Sequence, residues 1–187
     1  DARADATNLV EVCRVSQVDQ CRLEALAGRL GALLVNEQLK LVTAESCTGG
    51  WVAQCLTAIA GSSAWFDRGF VTYSNEAKQE MLGVPPDMLA EHGAVSQPVA
   101  VAMAEGALRN SRADWAVAIT GIAGPTGGSP QKPVGTVCFA WGCRDGRIVT
   151  STRHFPGSRE DVRAQSVEHA LSGLIERMDQ STGEVVA

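Results

Sequence analysis

From Val18 to about Gln38, apolar residues recur at intervals of three and four, with Leu23, Leu26, Leu30, Leu33 and Leu34 along one stripe. That period predicts an amphipathic helix. The pattern then changes. LKLVTAE is a short apolar run that predicts a strand, and TGGWVAQCLTAIA predicts a helix that stops near Gly61. AWFDRGFVTYS is rich in aromatic and β-branched residues and predicts a second strand. Two short helical stretches follow. SNEAKQEML has Ser74 or Asn75 placed to cap it, and PPDMLAEHG opens with proline. SQPVAVAMAEGALRNS predicts an alanine-rich helix, with Ser96 as its cap and Pro98 in its first turn.

DWAVAITG predicts a buried strand. It runs into IAGPTGGSPQKPVG, fourteen residues holding four glycines and three prolines. GTVCFAWGCRDGRIVTSTRHF predicts two strands joined by an Asp-Gly hairpin turn. SREDVRAQSVEHALSGLIERM predicts a last helix, with Ser158 three residues before Asp161 in a relative of the capping box. Strands alternate with helices except at the late hairpin. The fold class is therefore α/β, a three-layer α/β/α sandwich around a mixed, mostly parallel sheet of about five strands. No repeat or linker divides the core, so residues 22–180 read as one domain between tails at 1–21 and 181–187.

Composition narrows the function. A chain of 187 residues suits one domain with a sizeable core, and 45% apolar with 20% charged residues is ordinary for a soluble globular protein. The net charge of −5 argues against nucleic acid or an anionic membrane as partner, but leaves room for a small anionic ligand. No apolar run approaches the ~18 residues of a membrane span, and DARADATNLVEVCRV lacks the basic start of a secretory signal. The six cysteines, Cys13, Cys21, Cys47, Cys55, Cys138 and Cys143, contain no Cys-x-x-Cys pair, and the three histidines have no metal-ligand spacing. Reduced thiols in a cytoplasmic protein without a metal site are the expectation.

Ligands of α/β sheets bind beyond the carboxyl ends of the strands. Three polar segments fall at such ends: ESCTGG, TYSNEAK and TGIAGPTGG. In the first, Ser46 opens a helix whose free N–H groups favour negative charge, and Gly49 and Gly50 allow close approach of a ligand. Ser46 is therefore a candidate nucleophile, with an oxyanion held by these amides; the plainer reading is that Ser46 or Thr48 merely caps the helix. Cys47 is the rival nucleophile. The second segment supplies Tyr73, the only tyrosine, and Lys78. A lysine whose pKa is lowered by burial can take a serine proton; the alternative is a solvated lysine and a sheet-surface tyrosine. The third segment could form a nest of backbone amides for a phosphate or carboxamide, or be an irregular loop. It lacks the Gly-Lys-Ser/Thr of a phosphate-binding P-loop. Arg159 and Arg163, on the first turns of the last helix, could clamp a phosphate or serve as surface charges. His92, His154 and His169 adjoin none of these segments.

TAESCTGG, GSSAWFDRGFVTYSNEAK, GAVSQPVA, ITGIAGPTGGSPQKPVGTV and FPGSREDVR, in that order, resemble the CinA carboxy-terminal domain family. The resemblance runs from about Leu23 to Arg177 and leaves residues 1–21 outside. It implies an α/β/α sandwich, a tendency to dimerise, and hydrolysis of nicotinamide mononucleotide to nicotinate mononucleotide and ammonia in pyridine-nucleotide (NAD) recycling, with no cofactor. It implies Ser46 as nucleophile with Lys78 and Tyr73 as activating partners. Substrate contacts would come from Glu45, Cys47, Thr48, Gly49 and Asn75, from Thr120, Gly121, Ala123, Gly124, Gly127, Gly128 and Lys132, and from Arg159 and Arg163. The competing functions are a non-catalytic nucleotide-binding module of the competence/damage-inducible kind, and an amidase for another small amide.

Overall fold

The computed structural model describes residues 20–183. Of the expected tails, residues 1–19 and 184–187 lie outside the described residues, as does Val18 at the expected start of the first helix. Positions 20–21 belong to α1 (20–36), and positions 181–183 end the last helix. The elements that follow α1 are β1 (Leu41–Glu45), α2 (Trp51–Thr57), β2 (Phe66–Val71), α3 (Asn75–Leu82), α4 (Pro86–His92), α5 (Gln97–Arg109), β3 (Trp115–Gly121), the hairpin β4 (Thr136–Cys143) and β5 (Ile148–His154), and α6 (Arg159–Gly183). Among the described residues no helix is long and apolar enough to cross a membrane.

The five strands form one sheet in the order β2-β1-β3-β4-β5. β1 pairs in parallel with both β2 and β3, whereas β3–β4 and β4–β5 are antiparallel, so β4 alone runs against the rest. Alternation along the strands gives the two faces different textures. Leu41, Trp115, Val117, Ile119, Val137, Phe139 and Trp141 pack under α1, α2 and α6. Val42, Ala44, Ala116, Ala118, Cys138 and Ala140 pack under α3, α4 and α5. The small residues on the second face let the alanine-rich α5 lie close to the sheet. Gly106 continues this economy: a Cβ there would run into the carbonyl of Leu82 at the end of α3. Helices on both faces of a mixed sheet make the expected three layers.

Local chemistry sets the element ends. Ser74, rather than Asn75, caps α3, its hydroxyl accepting from the Ala77 amide at 3.0 Å. Ser96 caps α5 with Pro98 in its first turn. Ser158 and Asp161 exchange hydrogen bonds at the start of α6, the Ser158 amide donating to the carboxylate at 2.7 Å and the Asp161 amide to the hydroxyl at 3.2 Å. Gly146 turns the β4–β5 hairpin with φ +95°. α2 is shorter than the apolar pattern implies. It ends at Thr57, and a separate 3-10 turn at Ser62–Ala64 precedes β2.

Candidate active site

β1 lies between β2 and β3 in parallel, so the carboxyl ends of these strands share one edge of the sheet. Glu45 stands in register with Val71 on one side and Ile119 on the other. The backbone ties the next residues together. The Thr72 amide donates to the Glu45 carbonyl at 2.8 Å, and the Ser46 amide donates to the Ile119 carbonyl at 3.0 Å. The three polar segments foreseen in the sequence thus meet at one rim, with ESCTGG in the middle.

Glu45 shapes the central segment. It is fully buried, and both carboxylate oxygens are engaged. The amides of Gly50, Val52 and Ala53 donate to it at 3.0, 3.1 and 2.9 Å, and the Thr48 hydroxyl at 2.7 Å. The carboxylate therefore caps α2 from the preceding strand and neutralises the amides at that helix end. Gly49 and Gly50, at φ +62° and +95°, adopt the left-handed conformation that lets the chain fold over it. With the α2 amides thus occupied, the amides of Cys47 and Thr48 are the ones in this turn that donate to no backbone carbonyl among the described residues, since Gly49 donates to the Ser46 carbonyl at 3.0 Å.

Lys78 reaches this turn from α3. Its side chain is buried, and Nζ lies 3.0 Å from Ser46 Oγ, 2.8 Å from the Thr72 carbonyl and 3.5 Å from the Ser74 carbonyl. Burial lowers its pKa, because the charged form loses its water. The influence that works the other way is the neighbouring sulfur of Cys47. That thiol is itself pushed up to about 12, chiefly by its own burial, so at neutral pH it holds no charge to retain the ammonium. No carboxylate contacts Lys78 Nζ among the described residues.

The other expected residues are placed as follows. Tyr73 is 61% exposed, and its hydroxyl accepts from Arg159 at 2.8 Å; Lys78 has its polar contacts elsewhere. Asn75 is exposed at the start of α3. Thr120, the last residue but one of β3, donates to the Ala94 carbonyl at 2.7 Å. Gly121 packs so closely that a Cβ would sit 2.7 Å from Val137 and 3.0 Å from the Cys47 sulfur. Ala123 is buried, whereas Gly127 and Gly128 are exposed on the outer loop. Lys132 donates to the His92 carbonyl at 2.7 Å, fastening that loop to α4. Arg159 also donates to the Gly124 carbonyl at 2.8 Å. Arg163 donates to the carbonyls of Cys47 and Thr48 at 3.2 and 3.0 Å. A cleft of about 560 Å³ opens beside the turn, lined by Gly49, Gly50, Trp51, Gln54, Arg159 and Arg163 together with Gln20 and Glu160; Ser46 and Lys78 do not line it.

Two features had no signal in the sequence. The carbonyls of Thr72 and Ser74 that hold the amine are backbone groups, which any residue supplies. The role of the Glu45 carboxylate, which accepts from the turn and from the first residues of α2, also had none.

Residues 23–178 match the CinA C-terminal domain family. The chain belongs to the CinA C-terminal domain family. It is 55% identical over 160 residues to the nicotinamide-nucleotide amidohydrolase PncC of Escherichia coli strain K12, covering 86% of this chain and 97% of that one. The PncC of Pseudomonas putida is 52% identical over 155 residues, covering 82% and 96%. Among solved structures, the CinA superfamily protein KP700603 of Klebsiella pneumoniae aligns with a TM-score of 0.82 at 43% identity, over 84% of this chain and 98% of that one. The competence/damage-inducible protein CihA of Agrobacterium tumefaciens aligns with a TM-score of 0.80 at 50% identity, over 82% and 94%. The α/β fold is that of the CinA superfamily.

Proposed function

We propose that the chain hydrolyses the carboxamide of nicotinamide mononucleotide, releasing nicotinate mononucleotide and ammonia, with Ser46 as nucleophile and Lys78 as its base. The observation that carries this reading is the buried lysine 3.0 Å from the serine hydroxyl, in a chain whose relatives of matching length are amidohydrolases of this nucleotide. A neutral amine has two N–H donors and one lone pair. The carbonyls of Thr72 and Ser74 accept the two donors, which leaves the lone pair for the proton of Ser46.

In the first step Lys78 takes that proton, and Ser46 Oγ bonds to the carboxamide carbon. The carbonyl oxygen becomes an oxyanion, held by the amides of Cys47 and Thr48. The proton on Lys78 passes to the amide nitrogen, the C–N bond breaks, and ammonia leaves. Water then gives a proton to Lys78 and adds to the ester. The proton returns to Ser46 as the product departs as its carboxylic acid, which then gives its own proton to solvent. The pyridinium charge of the substrate makes its carboxamide carbon more electrophilic. In this reading Thr120, Gly124 and the remaining donors of Arg159 hold ribose and phosphate, and Tyr73, whose hydroxyl accepts from Arg159, keeps that arginine in place rather than carrying the proton. The same reading gives the enzyme a part in pyridine-nucleotide recycling in the cytoplasm, as a homodimer; free thiols at all five cysteines of the described residues accord with that compartment.

The test is ammonia release from nicotinamide mononucleotide, its riboside and free nicotinamide. Turnover of the nucleotide, with most efficiency lost when the phosphate is absent, is expected. No ammonia from the nucleotide, together with a raised melting temperature in its presence, would make the protein a binding module instead.

A further inference from the structure

We propose that Arg163 is a positioning residue for the nucleophile turn: it holds the Cys47–Thr48 peptide so that the Thr48 amide faces the reacting carbonyl oxygen, and it does not clamp the substrate phosphate. The inference rests on the serine-hydrolase reading above. Its starting point is how Arg163 spends its guanidinium. Nε donates to the Cys47 carbonyl at 3.2 Å and Nη2 to the Thr48 carbonyl at 3.0 Å, across 116 and 115 residues of chain. Its Cζ lies over the Trp51 ring, 5.1 Å from the centroid, a second contact that holds the guanidinium in place.

A trans peptide is planar, so its N–H points opposite its carbonyl. A carbonyl pulled towards Arg163 turns the N–H of the same peptide away from it. For the Thr48–Gly49 peptide, that N–H is accounted for, since Gly49 donates to the Ser46 carbonyl. For the Cys47–Thr48 peptide, the Thr48 N–H is left without a backbone acceptor, next to the nucleophile. The opposite peptide orientation would turn a carbonyl towards the developing oxyanion and repel it. The positive charge on the carbonyl side also polarises the peptide and strengthens its N–H as a donor. Glu45 fastens the following residues from below and Arg163 fastens these two from α6, so the turn is held on both sides.

The test is steady-state kinetics of Arg163→Gln and Arg163→Lys with nicotinamide mononucleotide and with nicotinamide riboside, each variant checked by thermal melting. Arg163→Gln should lower kcat for the nucleotide by about 10- to 100-fold, the scale of a misaligned oxyanion donor, with KM within about threefold. The kcat/KM for the riboside should fall by the same factor, and Arg163→Lys should recover part of the loss. Should Arg163→Gln not fold, Arg163→Lys and Trp51→Leu carry the test, each expected to lose kcat alike on both substrates. A rise in KM confined to the phosphorylated substrate, with kcat held, overturns the proposal and makes Arg163 a phosphate ligand. So does unchanged kcat in every folded variant. A wild-type protein that releases no ammonia from either substrate removes the hydrolase reading and this inference together.

Discussion

Lys78 Nζ stands 3.0 Å from Ser46 Oγ, across 32 residues of sequence, with the lysine side chain buried. β1 delivers the serine at its carboxyl end, and the first turns of α3 deliver the lysine beneath it. Burial lowers the pKa of the lysine, and the contact sets the direction in which the serine proton can leave.

The first prediction concerns pH. The base must be neutral, and burial has lowered the pKa of Lys78 below the usual lysine range. kcat/KM should therefore climb as pH rises through that lowered pKa and level off above it, because the ammonium form below it cannot accept a proton. Lys78→Arg should lose about 10²- to 10⁴-fold, since arginine stays charged at any working pH. A pH profile measured from acid to alkaline pH, with the variant alongside, checks both.

Cys47 neighbours the serine but does not share its role. Its thiol, pushed up to about 12 by burial, is neutral at working pH and packs in the core against the position of Gly121. Cys47→Ala should retain kcat within a few-fold and lose about 1–2 kcal/mol of stability from the vacated sulfur volume. Activity assays beside urea unfolding read the two effects apart.

Glu45→Gln should weaken the turn. One charged acceptor of three amides and a hydroxyl becomes a neutral amide with half as many acceptor oxygens. The expected cost is about 2 kcal/mol in urea unfolding, with kcat reduced because the amides after Ser46 lose their anchor. A variant as stable and active as the wild type would remove the capping role.

His169 supplies a pH effect away from the site. Its ring packs edge-on against Phe139, Trp141 and Phe155, and burial, helped by Arg153 and Arg177 and opposed by Glu176, lowers its pKa from 6.5 to about 4. The folded state thus binds the proton less readily than the unfolded chain. Stability from this group is full above about 6.5 and is lost as pH falls towards 4, by about 1–2 kcal/mol after allowance for its partial exposure. His169→Leu should flatten that part of the stability curve, which thermal melts across the same pH range would show.

The layered fold was legible because its signals are periodic. Leucines at three and four marked α1, and the short apolar runs LKLVTAE and DWAVAITG marked β1 and β3. Gly146, Ser96 and the Ser158–Asp161 pair carry turn and cap chemistry that any reader of the chain finds. The end of α2 was missed because TAIAG continues an apolar helical pattern past Thr57, where the helix stops. In the site, the approach of Ser46 to Lys78 was legible as three segments at parallel strand ends. How the charges are spent was not. Arginine side chains read as anion clamps in a sequence, yet Arg159 and Arg163 both donate to the protein's own backbone carbonyls, as does Lys132, a use that leaves no trace in residue spacing.

The central claim is that the hydroxyl of Ser46 makes the bond that displaces ammonia. Ammonia release from nicotinamide mononucleotide by folded Ser46→Ala, set against wild type in the same assay, tests it most directly. A loss of at least about 10³-fold is predicted, on the scale seen when a covalent nucleophile is deleted. Release at a rate near that of the wild type would contradict it.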